Sequence, residues 1–116
     1  MSKTKIVGSI NVKKIREKAS LTQEKLGHVV GASWVSISRW ERHVAVPNEG
    51  TQVRLKRFGE LLERIGNALP REEVPRFLER PHPLLRGFRP IDLLDNDYSF
   101  HDLLSFVDAA KSGDMA

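Results

Sequence analysis

None of the 116 residues is a cysteine. That excludes disulfides, thiolate metal sites, Fe–S clusters and cysteine nucleophiles together. No apolar run approaches the roughly 20 residues that a membrane span needs. The start, M-S-K-T-K-I-V-G, is basic without an apolar stretch behind it, so no signal peptide and a cytoplasmic protein are expected. The histidines, His28, His43, His82 and His101, are too scattered for a metal site. Ser99, His101 and Asp102 are neighbours on one stretch and cannot converge as a catalytic triad. The 8 glycines contain no phosphate-cradling loop. No cofactor, no metal and no enzymatic activity are expected.

What is present is charge, unevenly divided. Residues 1–69 carry 13 basic and 6 acidic side chains, and residues 70–116 carry 6 basic and 9 acidic ones. A front half of net +7 points to a polyanion as partner, and a back half of net −3 does not share it. At 13.2 kDa the chain is one domain or two very small ones.

Punctuation and periodicity predict an all-α chain of five to seven helices. Residues 1–10 read as a flexible basic arm. Val12, Ile15 and Ala19 fall at helical spacing behind Asn11 as cap. Thr22 caps a helix with Leu26, Val29 and Val30, which Gly31 ends. Ser33 caps another that runs through Glu41 with Ile37 and Trp40 inward. Pro47 stops it and Asn48 caps a longer amphipathic helix over 50–68. Its stripe, Leu55, Phe58, Leu62, Ile65 and Leu69, covers the bundle or forms a dimer seam. Leu69-Pro70 is the expected boundary between a first domain, 11–69, and a second module, 70–116. Beyond it, Pro75, Pro81, Pro83 and Pro90 cut the chain into short pieces: a helix over 72–80, a connector over 81–88 and a piece over 91–95. Ser99 and Asp102 have capping-box spacing for a last helix carrying Phe100, Leu103, Val107 and Ala110 and ending near Gly113.

The segment L-T-Q-E-K-L-G-H-V-V-G-A-S-W-V-S-I-S-R-W-E-R (Leu21–Arg42) is the strongest signal. Two short helices meet at a glycine able to take the φ > 0 of a tight turn. The outward N-terminal face of the second is left to enter a major groove. L-T-Q-E-x-L, the turn Gly, S-x-S-x-W-E and the following Pro resemble the Xre/lambda-repressor-like helix-turn-helix family across roughly 11–66. The resemblance implies double-stranded operator DNA as partner and a homodimer or higher homo-oligomer on palindromic sites. It implies DNA contacts at Thr22 and Gln23, with Gln23 on a phosphate. It places Ser33, Trp34, Val35 and Ser36 toward bases, with Ser38 and Arg39 one turn on. Arg39 matches the two acceptors of guanine, and Arg42 and His43 suit phosphates. It also implies a structural ion pair between Arg16 and Glu41. Gly27 stands where the family usually has Ala, and His43 where it usually has Gly. Trp34 is large where small or amide side chains are common, and either meets thymine methyls or sugar, or packs within the protein.

The order of residues from Phe77 on, with Leu78, Pro81, Leu84, Gly87, Pro90, Ile91, Leu93, Leu94 and a terminal Gly113, resembles the toxin-binding domain of Xre/MbcA/ParS-type antitoxins. That resemblance implies neutralisation of a cognate protein toxin, often of the NAD-destroying RES type, and repression of the antitoxin's own operon. A net −3 module, with six Asp after residue 90, suits a basic nucleotide-binding cleft. Asp108, Lys111 and the tail from Ser112 are the implied toxin contacts. Two other readings remain open: a stand-alone regulator whose back half only oligomerises, and a protein adaptor that does not bind DNA.

Overall fold

The computed structural model describes residues 10–112, and the first nine and last four residues, including most of the expected arm and Gly113, lie outside them. The described residues form six α-helices linked by turns, with no strand among them. The fold is all-α. The chain divides into two compact units, Met1–Lys56 and Arg57–Ala116.

In the first unit, α1 (Val12–Lys18), α2 (Gln23–Val30) and α3 (Trp34–Glu41) are each opened by a side chain. Asn11 Oδ1 accepts from the Lys14 amide at 2.9 Å, Thr22 Oγ1 from Lys25 at 3.1 Å and Ser33 Oγ from Ser36 at 3.2 Å. Each satisfies one of the orphan N–H groups of a first turn. Between α2 and α3, Gly31 takes φ +78° and donates to the Gly27 carbonyl at 2.7 Å. Ala32 donates to the same carbonyl at 2.8 Å. The turn closes so tightly that a Cβ on Gly27 would lie 2.2 Å from the Ala32 carbonyl oxygen. The departure from Ala at this position therefore has a steric reason. Val12, Ala19, Leu21, Leu26, Val29, Val30, Ile37 and Leu55 are buried. Trp40, expected in the core, is only half-buried. It lines a surface groove with Val12, Val46 and Pro47, because it sits on the last turn of an eight-residue helix.

α4 (Glu49–Ile65) starts where Asn48 Oδ1 accepts from the Thr51 amide at 2.9 Å. The boundary between the units falls inside this helix, after Lys56, and not at Leu69-Pro70. The second unit takes Phe58, Leu61, Leu62 and Ile65 from α4 into its buried set. Forty residues beyond Pro70 bury too little alone, and half a helix completes them. These four side chains are covered within the chain, so they form no dimer seam.

After α4, a 3₁₀ turn (Arg71–Glu73) leads into α5 (Val74–Glu79), with Pro75 in its first turn where its missing N–H costs nothing. Two further 3₁₀ turns, Pro83–Leu85 and Pro90–Leu94, each start on a proline. α6 (Asp97–Ser112) starts two residues before the expected Ser99 cap. Asn96 caps it, its Oδ1 accepting from the Ser99 amide at 2.8 Å. Leu78, Leu85, Ile91, Leu94, Phe100, Leu103 and Val107 complete this core.

Candidate functional site

The side chains with candidate roles in DNA contact lie on α2 and α3 of the first unit. Their scaffold is held by Arg16 and Glu41. Arg16 Nε donates to Glu41 Oε2 at 2.6 Å and its second terminal nitrogen donates to Oε1 at 3.1 Å, a bidentate fork. Arg16 also donates to the Leu21 carbonyl at 3.2 Å, tying α1, the α2 entry and α3 together. Burial pushes the Glu41 carboxyl up, but hydrogen bonds from Arg16 and Gln23 and the charges of Arg16 and Lys13 outweigh it. Its pKa lies below the usual carboxylate value. The hydrogen bond with Glu41 raises that of Arg16.

Gln23 is half-buried, and its side-chain nitrogen donates to Glu41 Oε1 at 3.1 Å. Thr22 is exposed, its hydroxyl used as the α2 cap. Ser33 and Ser36 are taken up by the α3 cap, their hydroxyls 3.3 Å apart. The open face of α3 is therefore Trp34, Val35, Ser38, Arg39 and Arg42, at i, i+3 and i+4 spacing. Trp34 is 55% exposed and Val35 43% exposed, so Trp34 does not pack into the protein. Arg39 and Arg42 are exposed and make no ion pair among the described residues. His43, at the helix end, is exposed with φ +62°, a left-handed conformation that favours glycine.

In the second unit, Asp108, Lys111 and Ser112 lie exposed on the last turns of α6. All three have partners inside the chain. Arg64 donates to Asp108 at 2.7 Å, Lys111 Nζ to the Arg64 carbonyl at 2.6 Å and the Ser112 hydroxyl to the Ala109 carbonyl at 2.9 Å. Lys111 also borders an apolar groove with Ile65, Leu69, Phe77 and Phe106. A larger groove, about 460 Å³, lies on the other side of Phe106 and is lined by Leu84, Phe88, Leu93 and Tyr98. Leu84, Phe88 and Tyr98 are 66%, 49% and 76% exposed. Sequence reasoning missed this surface. The available signal was two large apolar residues, Leu84 and Phe88, in a turn-rich segment, with Tyr98 in the first turn of α6.

Between the grooves, His82 stands against Phe77 and Phe106, ring centroids 5.5 and 5.1 Å away. Burial, with the Arg80 charge, pushes its pKa down. The histidines are not brought together, and no cluster of the described residues could hold a metal ion. No described helix is long and apolar enough to cross a membrane.

No protein-family model matches the chain. Among curated proteins, the mycobacterial cidal antitoxin MbcA of Mycobacterium bovis is 30% identical over 97 residues, 84% of this chain and 85% of that protein. MbcA of Mycobacterium tuberculosis matches to the same extent. Among solved structures, the crystal structure of the M. tuberculosis MbcT–MbcA toxin–antitoxin complex contains a chain that matches with a TM-score of 0.77 and 28% identity. The match covers 91% of this chain and 95% of that one. The described fold and the sequence identity run together over most of both proteins, and the chain belongs to the MbcA family of antitoxins.

Proposed function

We propose that this chain neutralises a cognate protein toxin with its second unit and represses its own operon with its first, catalysing no reaction itself. The observation that carries the toxin reading is the apolar groove of Leu84, Phe88, Tyr98 and Phe106. Water-exposed apolar surface of this kind is what a protein partner covers. Asp108, Lys111 and Ser112 sit on the same helix and extend the contact beyond Phe106. A RES-like, NAD-consuming toxin is the expected partner.

The DNA reading rests on α3. Its open face carries two exposed arginines with no ion pair among the described residues, and residues 1–56 hold 11 basic against 4 acidic side chains. Arg39 takes a guanine, and Arg42 and His43 take phosphates. The Gln23 amide has a second N–H beyond the one given to Glu41, and that proton suits a phosphate oxygen beside the α2 N-terminus. One such module covers one half-site, so a homodimer or higher homo-oligomer on a palindrome is expected, in the bacterial cytoplasm.

Co-expression with the neighbouring toxin gene, scored by growth, tests the first part. The intact chain protects, and Phe88→Asp and Leu84→Asp lose protection while remaining folded. Full protection by both variants overturns the groove as the docking surface. Failure of the intact chain to protect leaves a plain regulator. Arg39→Ala weakens specific operator binding by about 1–3 kcal/mol, and an unchanged footprint and affinity overturn the reading face.

A further inference from the structure

The start of α3 has an unusual chemistry for base reading. Its two outermost side chains are apolar, Trp34 and Val35, and both stand in water. The Ser33 hydroxyl is taken up, donating to the Ser36 hydroxyl and accepting from the Ser36 amide as the helix cap. No amide side chain stands on α3 to pair with adenine, and the nearest, Gln23, is held by Glu41. The surrounding unit is strongly basic, and Arg39 and Arg42 continue the same face. A bare indole and isopropyl group on a cationic face suit the one apolar feature of the major groove, the thymine 5-methyl group.

We propose that Trp34 and Val35 read thymine methyl groups at adjacent base pairs of the operator, while Arg39, one turn further along the same α-helix, reads a nearby guanine. This rests on the DNA-binding reading above and names its chemistry. Discrimination at these pairs comes from burial of methyl and indole surface, not from a hydrogen-bond pattern. A single methyl removed from contact is worth about fourfold in affinity.

The test uses the full chain. Duplexes selected by it from a random pool are resynthesised with deoxyuridine in place of one thymidine at a time, which deletes only the methyl. Loss of about fourfold at one or two adjacent positions is expected. Trp34→Ala should bind the thymidine and deoxyuridine duplexes alike at one of those positions, and Val35→Ala at its neighbour. Both variants remove exposed side chains, so thermal melting should be unchanged. Equal binding of all substituted duplexes by the intact chain overturns the proposal while leaving DNA binding standing. Failure to select any duplex sinks the DNA reading itself. Trp34→Ala that keeps its deoxyuridine sensitivity but loses toxin capture or changes oligomeric mass assigns this face to a protein partner and overturns the proposal.

Discussion

The two units use their charged side chains in opposite ways. In residues 10–56, Arg16 pairs with Glu41 and Arg54 donates to the Val29 carbonyl at 2.6 Å, whereas Arg39 and Arg42 stand exposed with no ion pair among the described residues. In the second unit four of the seven arginines are taken up by aspartates: Arg57 by Asp97, Arg64 by Asp108, Arg86 by Asp102 and Arg89 by Asp92. Four of the six aspartates after residue 90 are thus neutralised locally. The net −3 of this half is therefore partly offset within the unit, which beside these pairs exposes the large apolar side chains Leu84, Phe88 and Tyr98. A net charge counts residues, whereas a partner meets only the charges that remain unpaired.

The largest effect should come from the part-buried pair. Arg16→Ala is expected to cost about 2–4 kcal/mol, since it strands a Glu41 side chain only 7% exposed. Tryptophan fluorescence follows this unfolding in the first unit alone, because Trp34 and Trp40 both lie there. The pair also sets an acid limb. The Glu41 pKa is lowered in the fold, so its contribution is complete above the unfolded value, about 4.3, and is lost as pH falls through the folded value. Arg16→Ala should flatten that limb. An unchanged melting curve and acid limb would break the contrast between the units.

Next comes Gly27→Ala. Alanine normally favours a helix interior by about 1 kcal/mol, but here its methyl would press on the Ala32 carbonyl. A net loss of about 1–3 kcal/mol is expected in urea unfolding. His43→Gly should act in the other direction. It relieves the left-handed backbone at φ +62° and stabilises the first unit by about 1 kcal/mol. It should also weaken binding to specific and non-specific DNA alike, as a phosphate contact carries no sequence. Unaltered DNA affinity in this variant would assign His43 a purely structural place.

Local chemistry made much of this fold legible. The caps Asn11, Thr22, Ser33 and Asn48 act within three residues of themselves, so the first four helices could be placed from sequence. Asn96 defeated Ser99 because both precede helical residues at capping distance, and the earlier cap adds most of another turn with no proline to forbid it. The expected boundary and the division into compact units differ because Pro70 marks where a helix must stop, whereas α4 contributes buried side chains to both units. Trp40 fits an inward period, yet periodicity does not say that the helix ends beside it. The groove of Leu84, Phe88 and Tyr98 was illegible for a tertiary reason: the turn segment that carries Leu84 and Phe88 meets α6, which carries Tyr98, only in the fold.

The smallest expected effect is the sharpest control. Asp108→Ala removes an Arg–carboxylate contact of 2.7 Å, nearly the length of the Arg16–Glu41 bond. Distance alone would predict similar costs. Exposure predicts otherwise, because Arg64 and Asp108 are 36% and 52% open to water, which screens their attraction and resolvates either partner left behind. Less than about 1 kcal/mol should be lost, and that loss should shrink further in 1 M salt, where the screening length is about 3 Å. Arg64 also keeps its contact with Glu60 at 3.8 Å. Measured by chemical unfolding of the full chain, a loss equal to that of Arg16→Ala would mean that the aspartate pairs hold the second unit together as firmly as the Arg16–Glu41 pair holds the first. A near-zero loss leaves Asp108 available to exchange Arg64 for a toxin side chain at little cost to the fold.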